Sequence, residues 1–166
     1  LEDVVFRAQE VTLPELQAAL AADYEGYEAL RQRCICAPKW GRNDDRADGH
    51  AARVMGLMHD EIDDAVGTMA DDPILVFRSI ETDMQHIRLG RQTGATPDGR
   101  RAGEPLSENT SPTPGACIDG ITSMLQSVAK LPLDKCHSGA LNIRLQPRLF
   151  EGDQGARLLG QLLRTY

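Results

Sequence analysis

Four cysteines, one of them followed by a histidine, could supply metal or nucleophilic chemistry. Cys34 and Cys36 are two residues apart, and Cys117 and the pair Cys136 and His137 follow much later. Thiolate and imidazole are preferred ligands of zinc and of iron–sulfur clusters. The spacing lacks the paired CxxC of structural zinc sites, and residues two apart on a helix face different directions. We therefore expect free, partly buried thiols and no metal site.

A charged, glycine-rich segment is the second candidate for chemistry. Arg100 and Arg101 could bind a phosphate or carboxylate, because a guanidinium and loop N–H groups together suit a planar oxyanion. Acidic residues lie beside them in the sequence, so internal ion pairs compete with that interpretation. We favour a loop-structuring role for Asp98, Arg100, Arg101 and Glu104 and keep the oxyanion site as the alternative.

Small polar residues at alternate positions form the third candidate. If the backbone is extended there, Asn109, Ser111 and Thr113 point in one direction and could orient a hydroxylated substrate, while Pro112 and Pro114 stiffen the segment. A polar loop that satisfies its own backbone is the competing interpretation. We predict a substrate-binding role for these three side chains.

All of these polar residues belong to one long segment, residues 93–120, rich in Gly, Pro, Ser, Thr and Asn. A loop of this length inside a compact domain is unusual unless it is functional or disordered. The sequence before it, residues 12–67, has helical patterns, and residues 121–166 indicate a helix, a strand and a helix. The loop is therefore the part of the chain around which we expect the other elements to be arranged.

The helical patterns have recognisable ends. Thr12 as N-cap with Glu15 three residues later forms a capping box, which predicts a helix that ends at Pro38. Residues 40–48 are polar and indicate a loop, and a second apolar stripe from Ala51 to Val66 predicts a helix closed by Gly67. Further predicted elements are a turn at 68–73, a short strand at 74–77, a helix at 121–131, a strand at 140–146 and a last helix from Asp153.

Several segments resemble the glycyl radical enzymes, the family of pyruvate formate-lyase and the radical diol dehydratases. They are residues 94–105 (GATPDGRRAGEP), 107–109 (SEN), 111–112 (SP) and 127–132 (SVAKLP), with a weaker likeness at 12–38 and at Asp44 and Asp45. The resemblance implies an α/β fold in which residues 1–166 are a helix-rich part of a ten-stranded α/β barrel. It also implies a cytoplasmic homodimer active in anaerobic metabolism.

The resemblance further implies a lyase that acts by thiyl radical hydrogen abstraction on a small polyol, amino alcohol or 2-oxo acid, as a dehydratase or a formate C-acetyltransferase-like enzyme. Its glycyl radical would be installed by a radical S-adenosylmethionine activase. The family carries the radical in a Gly-Tyr loop near the C-terminus and the thiyl in a Gly-Cys-x-Glu loop. Neither context occurs here, because Gly26-Tyr27 lies in a helical run and no cysteine follows glycine.

We therefore assign no catalytic residue to this chain and expect it to be a fragment whose remaining parts carry the radical chemistry. The alternative is a non-catalytic paralogue or partner-binding module derived from the same fold. The net charge of -7 argues against a nucleic-acid surface, which needs clustered Lys and Arg. No apolar run approaches the roughly 20 residues of a membrane helix.

Overall fold

The computed structural model describes residues 1–67, 78–80 and 84–165. The chain separates into two compact units, one built from Leu1–Lys39 with Thr82–Glu108 and the other from Trp40–Glu81 with Asn109–Tyr166. The described ranges contain six α-helices and two strands: α1 (Leu13–Ala21), α2 (Glu28–Cys36), α3 (Asp45–Gly67), β1 (Ser79–Ile80), α4 (Gln85–Gln92), α5 (Ile121–Val128), β2 (Ser138–Gly139) and α6 (Gly152–Thr165). The predicted turn at 68–73 and strand at 74–77 lie outside the described residues.

The first unit begins with a π-helical turn, Glu2–Arg7, followed by α1. The predicted capping box is confirmed. The Thr12 hydroxyl accepts from the Glu15 backbone N–H at 3.4 Å, and the Glu15 carboxylate accepts from the Thr12 backbone N–H at 2.8 Å. That backbone hydrogen bond from Thr12 is the main cause that lowers the pKa of the Glu15 carboxyl.

The prediction of one continuous helix up to Pro38 is wrong, because the chain turns sharply between α1 and α2. Asp23, Tyr24 and Gly26 adopt the left-handed region, with φ of 49°, 62° and 77°. The turn directs the Tyr24 side chain inward, where it is fully buried and its hydroxyl donates to the Thr96 carbonyl at 2.8 Å. Tertiary hydrogen bonding thus overrides a sequence that has helical periodicity throughout.

Tyr24 also belongs to the core of the first unit. The buried members of that core come from the π-helical turn and from both sides of the sharp turn: Val5, Leu16, Ala19, Tyr24 and Cys34. Burial, and then the neighbouring Cys34, raise the pKa of the Tyr24 phenol. The phenol therefore stays protonated, and remains a hydrogen-bond donor, at pH values at which a free tyrosine would begin to ionise.

In the second unit α3 starts six residues earlier than the predicted apolar stripe. The carboxylate of Asp44, predicted to lie in a loop, accepts from the Arg46 backbone N–H at 3.0 Å, as an N-cap residue does. The Arg46 guanidinium also donates to Asp44 at 3.0 Å and lowers the pKa of its carboxyl. The polar segment before the helix is thus partly its capping sequence.

The strands β1 and β2 are short and parallel, with Ser79 opposite Ser138 and Ile80 opposite Gly139. The prediction of a strand at 140–146 is wrong, because these residues have no regular secondary structure. The Ala140 N–H still donates to the Ile80 carbonyl at 3.3 Å, next to the end of β2. Alternating polarity alone does not make a strand, since a strand also needs a neighbour for its backbone groups.

Two helices complete the second unit. The predicted helix at 121–131 is confirmed as α5, which ends at Val128 and buries Met124 and Leu125. The predicted C-terminal helix is confirmed as α6, but Leu158, Leu159 and Leu163 on it are exposed. Within the described ranges, no helix is both long enough and apolar enough to cross a membrane.

Ion pairs connect the C-terminal half of α3 to both strands. The Asp63 carboxylate accepts a hydrogen bond from the guanidinium of Arg78, which precedes β1. It also accepts one from the amine of Lys135, which precedes β2, at 2.8 Å. The hydrogen bond from Arg78 and then that from Lys135 lower the pKa of Asp63 to about 2. The same contact with Asp63 raises the pKa of Lys135.

Replacing Asp63 with Asn is expected to remove a pH-dependent part of the stability. Because the pKa of Asp63 is lower in the folded chain than in the unfolded one, its ionised form stabilises the fold above pH ~4, and this contribution is lost as the pH falls from about 4 towards 2. The difference in Tm between wild type and Asp63→Asn should therefore shrink over that interval.

Thermal melts from pH 2 to 7 measure this difference, with Asp134→Asn, a change at an exposed aspartate on the neighbouring turn, as the control. A Tm difference that stays constant across the acid range would contradict the proposed ion pairing.

Candidate functional site

No helix or strand lies between the end of α4 at Gln92 and the start of α5 at Ile121. This is the segment in which the sequence places the candidate site residues. Its residues 93–108 belong to the first unit and its residues 109–120 to the second. The two halves are therefore described separately.

A buried arginine organises the first half. Arg100 is 5% exposed, and its guanidinium donates to the backbone carbonyls of Arg101 at 3.0 Å and Glu104 at 2.7 Å. It also donates to the carbonyls of Thr93, at 3.3 Å, and Gly94. The Nε–H donates to the Thr96 hydroxyl at 3.2 Å. All five guanidinium N–H groups are used in this way.

The sequence predicted ion pairs around Arg100, and the structure instead shows its guanidinium bound to backbone carbonyls. With every N–H group engaged, Arg100 has no donor left for an external phosphate or carboxylate. Asp98 accepts from the Thr96 hydroxyl and from the Arg100 backbone N–H, and Glu104 accepts from the Arg101 backbone N–H at 2.9 Å. These contacts support the loop-structuring role proposed for the four charged residues.

Side chains and backbone of the sharp turn and of α2 hold the same half of the loop from outside. Arg31 donates to the Gly99 carbonyl at 2.9 Å, and the Asp23 carboxylate accepts from the Ala102 backbone N–H at 2.7 Å. Arg101 donates to the Asp23 carbonyl at 2.8 Å. In each of these hydrogen bonds the two residues are 68 to 79 positions apart in the sequence.

Helix α4 packs directly against the backbone of this half. A Cβ atom at Gly90 would lie 2.4 Å from the Glu104 carbonyl oxygen and 2.9 Å from the Pro105 Cα. Because backbone atoms cannot move as a flexible side chain can, only glycine fits at this position. The Leu106 N–H donates to the His86 carbonyl at 3.1 Å and closes the contact.

Residues 40–42 hold the second half of the loop. The Trp40 indole N–H donates to the Thr110 carbonyl at 3.2 Å, and Arg42 donates to the Ala116 carbonyl at 2.8 Å. Gly41 has φ of 91°, and a Cβ there would lie 2.1 Å from Pro112 Cγ. The sequence predicted only a polar loop for this segment, because nothing local indicates which distant carbonyls its side chains bind.

The three predicted substrate-binding residues do not form an extended row. Asn109 has φ of 50° and lies in a turn, so the alternation from Asn109 to Thr113 is broken at its first member. The adjacent Thr110 is buried, and its hydroxyl donates to the Ala140 carbonyl at 2.7 Å. The Ser111 hydroxyl is buried and has no hydrogen-bond partner in the described part of the chain. This buried hydroxyl is therefore open to an additional hydrogen bond.

A buried polar network joins Asn43 to the start of α3 and to the end of α5. The Ser127 hydroxyl accepts from the Asn43 backbone N–H at 2.8 Å and donates to the fully buried Asp48 carboxylate at 3.0 Å. Lys130 donates to Asp45 at 2.6 Å and to Asp48 at 2.8 Å, and these hydrogen bonds, that to Asp45 first, raise the pKa of its amine. The sequence did not identify this network, although a serine and a lysine at i and i+3 face one side of α5 and the turn after it.

The four cysteines are unbridged: Cys34 is buried, Cys136 is partly buried, and Cys36 and Cys117 are exposed. Cys136 Sγ lies 3.8 Å from Nε2 of the buried His59, which also lies 3.1 Å from the Pro132 carbonyl oxygen. Over the described ranges, no three His, Cys, Asp or Glu residues are placed to hold a metal ion.

Comparison with protein families identifies the chain. The family model described as pyruvate formate lyase-like matches residues 1–83, half of the sequence. The chain belongs to the pyruvate formate lyase-like family. This match confirms the resemblance to glycyl radical enzymes seen in the sequence. The matched residues precede the loop at 93–120, which carries the strongest sequence resemblance.

Relatives in this family are dehydratases and lyases. The probable dehydratase YbiW of Escherichia coli (strain K12) is 36% identical over 176 aligned residues, which cover 100% of this chain and 21% of YbiW. The isethionate sulfite-lyase of Desulfovibrio desulfuricans is 33% identical over 172 residues, covering 100% of this chain and 20% of that enzyme. The chain thus spans about a fifth of the length of these relatives.

Solved structures agree with this assignment. The B12-independent glycerol dehydratase of Clostridium butyricum, in its glycerol-bound form, matches with a TM-score of 0.84 and 28% identity, over 98% of this chain and 20% of that one. The hydroxyproline dehydratase of Clostridioides difficile matches with a TM-score of 0.84 and 29% identity, over 97% and 20%. The fold is therefore that of a segment of a pyruvate formate lyase-type glycyl radical enzyme.

Replacing Arg100 with Met is expected to destabilise the chain by about 3–5 kcal/mol, because several backbone carbonyls lose the hydrogen bonds of a buried guanidinium at once. Urea denaturation measures the loss, and hydrogen exchange should show reduced protection in residues 93–104. Arg91→Met, at an exposed position on α4, is the matched control and should change stability by no more than about 0.5 kcal/mol. Equal effects of the two substitutions would contradict the role of Arg100.

Proposed function

We propose that this chain is one segment of a glycyl radical lyase, a dehydratase or formate acetyltransferase-like enzyme acting on a small polyol, amino alcohol or 2-oxo acid. The observation that carries the proposal is the match of the whole chain to dehydratases and lyases about five times its length. The dehydratase form is favoured over the acetyltransferase form because the matching solved structures include a glycerol dehydratase and a hydroxyproline dehydratase.

In this proposal the chain forms part of the wall of a ten-stranded α/β barrel, and the rest of the barrel comes from other segments. Among the described residues the strands form one parallel pair, β1 and β2, which supports this, since parallel sheets are covered on both faces and rarely consist of two strands alone. The exposed leucines of α6, Leu158, Leu159 and Leu163, provide further support, because a barrel would give them apolar neighbours.

The contribution of this chain to the site is the second half of the loop. Ser111 supports a substrate-binding role, because a buried hydroxyl without a partner gains free energy from any hydrogen bond that a ligand supplies. Asn109 and Thr113 lie on either side of it at half-buried positions. We propose that these three side chains contact the hydroxyl or carboxyl groups of the substrate.

The radical residues themselves are not part of the proposed role. The sequence contains neither a Gly-Cys-x-Glu context nor a Gly-Tyr pair outside the turn between α1 and α2. The residues present therefore do not fit a glycyl radical site. Other segments would supply it, and a radical S-adenosylmethionine activase would install the radical.

The isolated chain is accordingly expected to show no turnover and no EPR doublet after treatment with an activase. Glycerol, propane-1,2-diol, trans-4-hydroxyproline and isethionate are suitable substrates for this test, because they represent the reactions of the matched enzymes. Turnover or a doublet from this polypeptide alone would overturn the proposal that it lacks the radical centre.

Within a longer enzyme that contains this chain, Ser111→Ala is expected to lower kcat/KM about tenfold, the effect of one lost hydrogen bond to the substrate. Ser123→Ala removes a half-buried hydroxyl on α5 that donates to the Asp119 carbonyl at 3.3 Å, and it is the matched control outside the loop. Steady-state kinetics with the same substrates measure both variants. If Ser111→Ala behaves as the control does, the substrate-binding role fails. If no version of the longer enzyme yields an EPR doublet, the non-catalytic paralogue is favoured.

A further inference from the structure

The residues on either side of Ser111 are both buried, and both contact segments distant in sequence. Thr110 is 6% exposed, and its backbone N–H and its hydroxyl donate to the Ala140 carbonyl at 3.2 and 2.7 Å. Pro112 is buried as well. The Ser111 hydroxyl between them is buried without a hydrogen-bond partner among the described residues. The backbone around Ser111 is therefore fixed while its hydroxyl stays available.

The Trp40 indole holds the peptide that leads into Ser111. Its N–H donates to the Thr110 carbonyl at 3.2 Å. That carbonyl and the Ser111 backbone N–H belong to one planar peptide unit, so a donor to the carbonyl fixes the plane from which Ser111 starts. Rotation of this plane would turn the Ser111 side chain. The hydrogen bond from Trp40 therefore sets the direction of the Ser111 hydroxyl.

Gly41 restricts the other side of Ser111. A proline disfavours the helical region for the residue before it, so Pro112 keeps Ser111 extended. The Pro112 ring itself lies against Gly41, where a Cβ atom would come within 2.1 Å of the ring Cγ. Gly41 directly follows Trp40 in the chain, so one dipeptide contacts the residues on both sides of Ser111.

This dipeptide is anchored in turn from α3 and α5. The Asn43 backbone N–H donates to the Ser127 hydroxyl at 2.8 Å, and Ser127 donates to the Asp48 carboxylate at 3.0 Å. Asp48 is fully buried, and Lys130 pairs with it at 2.8 Å. Because a buried carboxylate is strongly destabilised when it loses its partners, the network holds residues 40–43 in one position.

We propose that Trp40 is a positioning residue for substrate binding, which orients the Ser111 hydroxyl without contacting the substrate itself. The proposal rests on the substrate-binding role proposed for Ser111. A hydroxyl that is already held in its binding direction loses less conformational freedom when a ligand arrives, so this positioning strengthens binding. Without the indole N–H, the Ser111 hydroxyl is still present but is no longer held in that direction.

Trp40→Phe removes the indole N–H and keeps an aromatic ring. In a longer enzyme that contains this chain, it is expected to lower kcat/KM about fivefold, part of the effect of losing the Ser111 hydrogen bond altogether. The loss should divide between kcat and KM as it does in Ser111→Ala, because both substitutions act through the same hydroxyl.

A double-mutant cycle tests whether Trp40 acts through Ser111. Trp40→Phe combined with Ser111→Ala should lie within about twofold of Ser111→Ala alone, since the hydroxyl that Trp40 orients is already absent. Independent effects would instead multiply to a loss of about fiftyfold from the wild type, and that result would overturn the proposal.

Leu16→Ala, in the core of the first unit, separates positioning from a general loss of stability. It removes buried apolar volume and should lower the Tm at least as much as Trp40→Phe does. Its kcat/KM should nevertheless stay within about twofold of the wild type, because it leaves the contacts of Thr110 and Pro112 intact. An equal loss of kcat/KM in Leu16→Ala and Trp40→Phe would assign the effect of Trp40 to stability and overturn the proposal.

The same measurements distinguish failure of this proposal from failure of the proposed function. If Ser111→Ala leaves kcat/KM unchanged, the substrate-binding role of Ser111 fails, and the positioning role of Trp40 fails with it. If Ser111→Ala lowers kcat/KM and Trp40→Phe does not, the positioning role fails while the role of Ser111 stands.

Discussion

The backbone carbonyls of residues 93–116 impose the main constraint on this molecule, because neither a helix nor a sheet is available to pair with them. Turns within the loop pair some of these carbonyls, and side chains supply many of the other donors. These side chains are Arg100 from within the loop and Tyr24, Arg31, Trp40 and Arg42 from earlier segments. A buried carbonyl without a donor costs on the order of 1–3 kcal/mol, so several such contacts together determine whether the loop has one conformation.

This constraint explains features that have no local cause. The sharp turn between α1 and α2 interrupts an otherwise helical sequence, and it positions the Tyr24 hydroxyl and the Asp23 carboxylate against the loop. Gly41 takes a left-handed conformation, and its neighbours Trp40 and Arg42 both donate to loop carbonyls. In each unit, the connection between two helices thus places hydrogen-bonding groups against a loop of that unit.

The sequence predicts the features that depend on local interactions and misses those that depend on distant ones. The predictions that the structure confirms depend on residues close together in sequence. They are the capping box at Thr12, the long α3, the helices α5 and α6 and the family resemblance. The turn at Tyr24 and the network around Asp48 depend on partners that are distant in sequence. Residues 140–146 form no strand because their backbone has no neighbouring strand to pair with among the described residues. The sequence identifies Ser111 by its chemical type. That its hydroxyl has no partner among the described residues depends on how distant segments pack.

Arg100 illustrates how such a structure shapes evolutionary variation. Its guanidinium is committed to carbonyls spread over more than ten residues of the loop, and lysine, with one nitrogen, cannot replace a planar fork. A substitution at this position therefore removes several loop contacts at once, even though the side chain has no donor left for a ligand. With a loop-structuring role, such an arginine would tolerate substitution as poorly as an active-site residue without touching a ligand.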